Sequence, residues 1–201
     1  MLDEKLRALL DELYRDGLRY DDAQADRLNR RRNLEPDAAV LLSVVIRAMG
    51  AREVVEIGTS NGYSTIWLAD AVRARGGRVL SVDTDAAAQE LAAANLAAAG
   101  LGELVRLQRG DGGAALAELP DGGTDVLFLD SERPEYPGWW PHPVRVLRPG
   151  GLLVVDNVLS HPDEIAPFLR LVEAEPALTA TVVPVGKGEL LAVKAVEPAS
   201  G

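Results

Sequence analysis

The chain has 201 residues, no cysteine and a formal net charge of −10. So acidic a surface grips phosphate backbones poorly, which argues against nucleic acid as a partner. The missing cysteines exclude a disulfide scaffold, a thiolate zinc site and a cysteine nucleophile. No window approaches the roughly 18 apolar residues that span a membrane, and Met1–Lys5 does not open a signal peptide. The expectation is a cytoplasmic small-molecule enzyme with no membrane partner.

Leu2, Leu6, Leu9, Leu10 and Leu13 recur at helical spacing and predict an amphipathic helix over 3–15, stopped by Gly17. Residues 21–32 are polar and Arg-rich and read as an exposed helix or arm. Pro36 opens a helix running to Met49, with Val40, Leu41, Val44, Val45 and Met49 expected inward. From residue 52 short apolar runs alternate with helical stretches. Strands are predicted at 53–57, 78–82, 104–108, 125–129 and 152–155, and helices at 62–75, 85–99, 112–118, 137–147 and 163–174. The runs Val126–Leu129 and Leu152–Val155 are apolar at every position, as in strands covered on both faces. The segments 179–185 and 189–196, separated by Gly186-Lys187-Gly188, read as an antiparallel hairpin.

This alternation predicts an α/β fold. The expected architecture is a Rossmann-like, doubly wound, seven-stranded and mostly parallel sheet with a C-terminal antiparallel hairpin. A helical arm over 1–35, one domain over 36–196 and a disordered tail over 197–201 complete the expected organisation.

Ligands of such sheets bind beyond the carboxyl ends of the strands. The first strand runs into Glu56-Ile57-Gly58-Thr59-Ser60-Asn61-Gly62, followed by Tyr63-Ser64. Its two glycines admit close backbone approach, and the following helix N-terminus with Ser64 suits a carboxylate. The dinucleotide pattern G-x-G-x-x-G is absent. Glu56 repels a pyrophosphate but tolerates a cationic cofactor. A tight turn with no ligand is the plain alternative. Asp83 ends the second strand at the spacing of a ribose-binding acid, or else caps the next helix, a role Asp85 can take. Gly110-Asp111-Gly112 follows the third strand and fits an adenine edge or a plain turn. Asp130 ends the fourth strand and Asp156-Asn157 the fifth. Two carboxylates and an amide form a hard, all-oxygen set suited to Mg²⁺ rather than zinc. Their alternative role is capping.

Taken together, residues 33–196 resemble the catechol and caffeoyl-CoA O-methyltransferase family, which uses S-adenosylmethionine and a divalent metal. The residues that carry the likeness are Glu56-x-Gly58-x-x-x-Gly62-Tyr63-Ser64, Asp83, Asp130 and Asp156-Asn157. The resemblance implies that Leu34, Glu56, Gly58, Ser60, Ser64, Asp83, Thr84, Gly110, Asp111, Asp130 and Ser131 hold the cofactor. It implies that Asp130, Asp156 and Asn157 bind Mg²⁺ or a similar cation such as Ca²⁺ or Mn²⁺. It further implies methyl transfer to a phenolic or catecholic oxygen, with Asp130 and Arg133 at the reacting centre, in a homodimer.

One departure stands out. Where the family carries a lysine base, three residues after its first metal aspartate, this chain has Arg133. Arginine stays protonated and cannot serve as a base. Three readings stay open: the metal alone activates the acceptor, His142 or His161 supplies the base, or the chemistry has been lost. Arg133 then binds an acidic acceptor or steadies the phenolate. Trp139-Trp140 either wall the acceptor site or pack a helix onto the sheet.

Overall fold

The computed structural model describes residues 3–26 and 30–196. The predicted tail at 197–201 and the middle of the predicted arm, 27–29, lie outside the described residues. Two helices come first, α1 (Glu4–Asp22) and α2 (Pro36–Met49). The alternating body follows: β1 (Glu53–Ile57), α3 (Tyr63–Arg73), β2 (Arg78–Asp83), α4 (Ala86–Ala98), β3 (Val105–Arg109), α5 (Gly112–Glu118), β4 (Thr124–Leu129), α6 (His142–Arg145), β5 (Leu147–Val155), α7 (Pro162–Ala174), β6 (Leu178–Val183) and β7 (Glu189–Lys194).

The seven strands lie in the order β3-β2-β1-β4-β5-β7-β6. The first five run parallel, and β7 is antiparallel to both β5 and β6. This is the Rossmann-like sheet and hairpin expected from the sequence. The strand order reverses between β1 and β4, which opens a crevice at their carboxyl ends.

Period-two alternation splits the core between the two faces of the sheet. Val126 and Phe128 of β4 join Val54, Leu152 and Val154 under α1, α2 and α3. Leu127 and Leu129 join Val55, Leu153 and Val155 under α5 and α7. Both sets are buried, which is why β4 and β5 read as unbroken apolar runs.

Three expectations are corrected. Gly17 does not stop α1, which continues to Asp22. Its missing side chain instead makes room for Asn33, whose Nδ2 would lie 2.4 Å from a Cβ there and donates to Leu13 O at 3.2 Å. The inward face of α2 is also shifted: Val45 and Met49 pack against the core as expected, but Val40 and Val44 do not. Ala38, Ala39, Leu42, Ser43 and Ile46 are buried, while Val40 and Val44 are 48% and 58% exposed. The small residues let α2 close on α3, which is itself buried from Tyr63 to Val72. Finally, the single helix expected at 137–147 is a 3₁₀ segment over 133–139 and the short α6. Pro137, Pro141 and Pro143 fall within that stretch, and each removes a backbone donor.

Candidate active site

A cavity of about 510 Å³ occupies the crevice. Its floor is the β1–α3 loop, and its walls are the loops after β2, β3, β4 and β5. Its roof is the segment Arg30–Leu34. That roof is fastened at Arg31 and Arg32. Asp21 accepts the backbone N–H groups of Arg31 and Arg32 at 2.6 and 2.9 Å, and Ser60 Oγ donates to Arg31 O at 2.9 Å.

The floor depends on Gly58. Its φ is +107°, and a Cβ there would stand 2.3 Å from the carbonyl oxygen of Asp130. Gly62 has no side chain to cap α3; Asn61 Oδ1 accepts from Tyr63 N at 3.2 Å, and the helix presents its remaining N-terminal amides and positive end toward the cavity. Asp83 Oδ2 accepts from Thr59 N and Ser60 N, both at 2.9 Å, which fixes the loop against β2. Asp85 caps α4, leaving Asp83 at the cavity wall.

Of the residues expected to hold the cofactor, Leu34, Gly58, Ser60, Ser64, Asp83, Thr84, Gly110, Asp130 and Ser131 line the cavity. Glu56 and Asp111 do not. Glu56 is fully buried, and its carboxyl takes Ser64 Oγ at 2.5 Å, Thr65 Oγ1 at 2.5 Å and Ser81 Oγ at 2.6 Å. It serves from behind the wall by orienting Ser64. Burial raises its pKa to about 7 despite these three donors. Asp111 caps α5, accepting from Ala114 N at 2.7 Å.

Asp130, Asp156 and Asn157 come together where β4 and β5 end. Asn157 Nδ2 lies 2.6 Å from Asp156 Oδ2 and 3.3 Å from Asp130 Oδ1. Asn157 is held at φ +67°, a left-handed conformation that asparagine tolerates better than most residues. Burial, then the charge of Asp156, pushes the Asp130 carboxyl well above its ordinary value. Among the described residues no three His, Cys, Asp or Glu side chains are arranged as a ready metal cluster.

Arg133 is 2% exposed and bonded through Nε and a terminal nitrogen to Glu164 Oε2 at 3.1 and 2.9 Å. It thereby ties the loop after β4 to α7. Trp139 and Trp140 form no wall of the cavity. Trp139 packs on Gly112 and Gly113, where any Cβ would strike its ring, and on Tyr136. Trp140 meets Phe168 of α7 edge-on. His142 is turned away and accepts from Arg145, whereas His161 lines the cavity.

Sequence reading passed over Lys187 in the β6–β7 turn and Glu189 at the start of β7. Lys187 lines the cavity and pairs with Glu35 at 2.6 Å. Burial works against its ammonium, yet the hydrogen bond and charge of Glu35 hold its pKa above the ordinary value. Glu189 is 1% exposed, and neither of its oxygens has a hydrogen-bond donor. Burial, then Asp156 beside it, pushes its carboxyl up to about 11. The readable signal was a charged residue opening the apolar strand Leu190-Leu191-Ala192-Val193.

This sheet, with a glycine loop at its switch point and an acid closing β2, defines the class of Rossmann-like S-adenosylmethionine-dependent methyltransferases. Residues 9–194 match the O-methyltransferase family, and the chain belongs to it. A catechol O-methyltransferase of Niastella koreensis is 32% identical over 130 residues, 63% of this chain and 58% of that protein. The O-methyltransferase from Bacillus cereus, solved in complex with SAH, superposes with a TM-score of 0.78 at 26% identity, covering 96% of this chain and 92% of the other. The O-methyltransferase TomG from Streptomyces achromogenes, involved in tomaymycin synthesis and solved with SAM, gives 0.75 at 28% identity over 98% and 92%. The chain is accordingly an S-adenosylmethionine-dependent O-methyltransferase.

Proposed function

We propose that this enzyme methylates an oxygen of a small phenolic or catechol-type acceptor with the help of a divalent cation held by Asp130, Asp156 and Asn157. The observation that carries the reading is the convergence of these three side chains beside the cofactor cavity. The donor set fits the ion. It offers carboxylate and amide oxygens only, and turning the Asn157 amide over brings Oδ1 to where Nδ2 now bridges the two aspartates. When bound, Mg²⁺, Ca²⁺ or Mn²⁺ supplies Lewis acidity that lowers the pKa of the acceptor hydroxyl.

The residues of the chain do the rest. The α3 N-terminus and Ser64 hold the carboxylate of the methionine moiety, and Asp83 with Thr84 receives the ribose. Gly110 and Ser131 complete the cofactor wall. Asp130 faces both the cofactor and the acceptor, so it positions the methyl donor against the nucleophilic oxygen. Arg133 cannot take the acceptor proton and is committed to Glu164. Lys187 and His161 are the lysine and histidine on the cavity wall. In this reading residues 36–196 form the catalytic domain, residues 1–35 supply its roof, and the enzyme works in the cytoplasm as a homodimer.

A second reading, methyl transfer without metal, is favoured by Lys187, whose charge already acts on Asp130 and Asp156. The separating assay uses catechol and caffeic acid with S-adenosylmethionine, with and without a chelator, on the wild type and Asp156→Ala. The metal reading expects at least a hundredfold loss in both treatments. Methylation that survives both would establish the metal-free reading instead.

A further inference from the structure

The hairpin that closes the sheet brings a further carboxylate to the aspartates. In the antiparallel pair of β5 with β7, Val155 faces Leu190, and one step further the same register sets Glu189 opposite Asp156. Directly opposed side chains of a sheet project to the same face a few ångströms apart, and like charges there are destabilising. Here both are buried, at 1% and 2% exposure, and neither Glu189 oxygen has a donor. Lys187, two residues earlier, is already paired with Glu35. Followed by Leu190, Leu191, Ala192 and Val193, this position has no packing need for an acid. The opposition is relieved when a cation sits against Asp156.

We propose that Glu189 belongs to the cation site. It does not complete a ready cluster of ligands; it lies next to Asp156 and fixes the carboxylate that touches the ion. This rests on the metal reading above and deepens it. Residues that orient a metal ligand typically contribute 10–100-fold to affinity.

The test is Mn²⁺ titration of chelator-treated protein, followed by calorimetry and by the loss of the free-ion electron paramagnetic resonance signal. Binding of S-adenosylhomocysteine serves as the control for folding. The wild type is expected to bind one Mn²⁺, Glu189→Gln to bind it 10–100-fold more weakly, and Asp156→Asn to lose it. Glu189→Asp, which keeps a carboxyl group beside Asp156, is expected to retain most of the affinity. The metal-free melting temperature of Glu189→Gln should equal or exceed that of the wild type, while the rise on adding Mn²⁺ shrinks. Undiminished Mn²⁺ affinity in Glu189→Gln, together with loss in Asp156→Asn, overturns the role of Glu189 and leaves the metal reading standing. Absence of binding in the wild type overturns both.

Discussion

Glu56 shows how one side chain links stability to pH. Its carboxyl is fully buried, and its pKa is raised from 4.5 to about 7. Between those values the folded protein keeps a proton that the unfolded chain has released. Stability therefore falls as pH rises from about 4.5 to about 7, and the contribution is fully present only below that window. The shift corresponds to about 3 kcal/mol. Urea unfolding between pH 5 and pH 8 should show this decline in the wild type and its loss in Glu56→Gln. An equal slope in both proteins would place the proton elsewhere. At this scale the sequence exposed the residue but not its direction. Glu56 precedes the glycine turn and so looked like a cofactor ligand, yet Ser64, Thr65 and Ser81 close around it from one helix and the next strand. Asp111 shows the same ambiguity, since a cap and a ligand share one sequence pattern.

The elements themselves were largely legible where burial leaves one solution. Apolar runs gave β4 and β5, and alternation with helices gave the parallel sheet. The reading failed where tertiary contact overrides local pattern. Gly17 looks like a helix stop until Asn33 is seen to occupy the space it leaves. Val40 and Val44 of α2 look inward until α3 demands the smaller Ala38, Ala39 and Ser43. Contacts made by a turn, such as those of Lys187 and Glu189, depend on a register that no local pattern reveals. The β1–α3 turn offers the sharpest test at this scale. Gly58→Ala forces a side chain to within 2.3 Å of the Asp130 backbone at φ +107°. It should cost at least ~2 kcal/mol from strain and overpacking. It should also weaken S-adenosylhomocysteine binding far more than Gly102→Ala, where a Cβ meets nothing within 4 Å. Calorimetric titration of the two variants decides it, and equal affinities would remove the close approach from the account.

For the whole molecule, the fold places its chemistry on one rim and leaves apolar surface on another side. Val40 and Val44 stand one turn apart on the outer face of α2. The proposed homodimer would cover such a patch. Light scattering should then report twice the chain mass for the wild type and the single mass for Val40→Glu/Val44→Glu. An unchanged mass would move the contact away from α2. None of the helices formed by the described residues is long and apolar enough to cross a membrane.

The rim opposite the cavity bears on how the enzyme can be handled. The turn between α4 and β3 carries Gly100 and Gly102, and open space surrounds both. A dye, affinity handle or small fused domain grafted there would ride on the rigid sheet without approaching the ligands. Parallel strands separate a reactive end from an inert one, so this molecule can be tethered to a surface by its back and still receive cofactor and acceptor from the front.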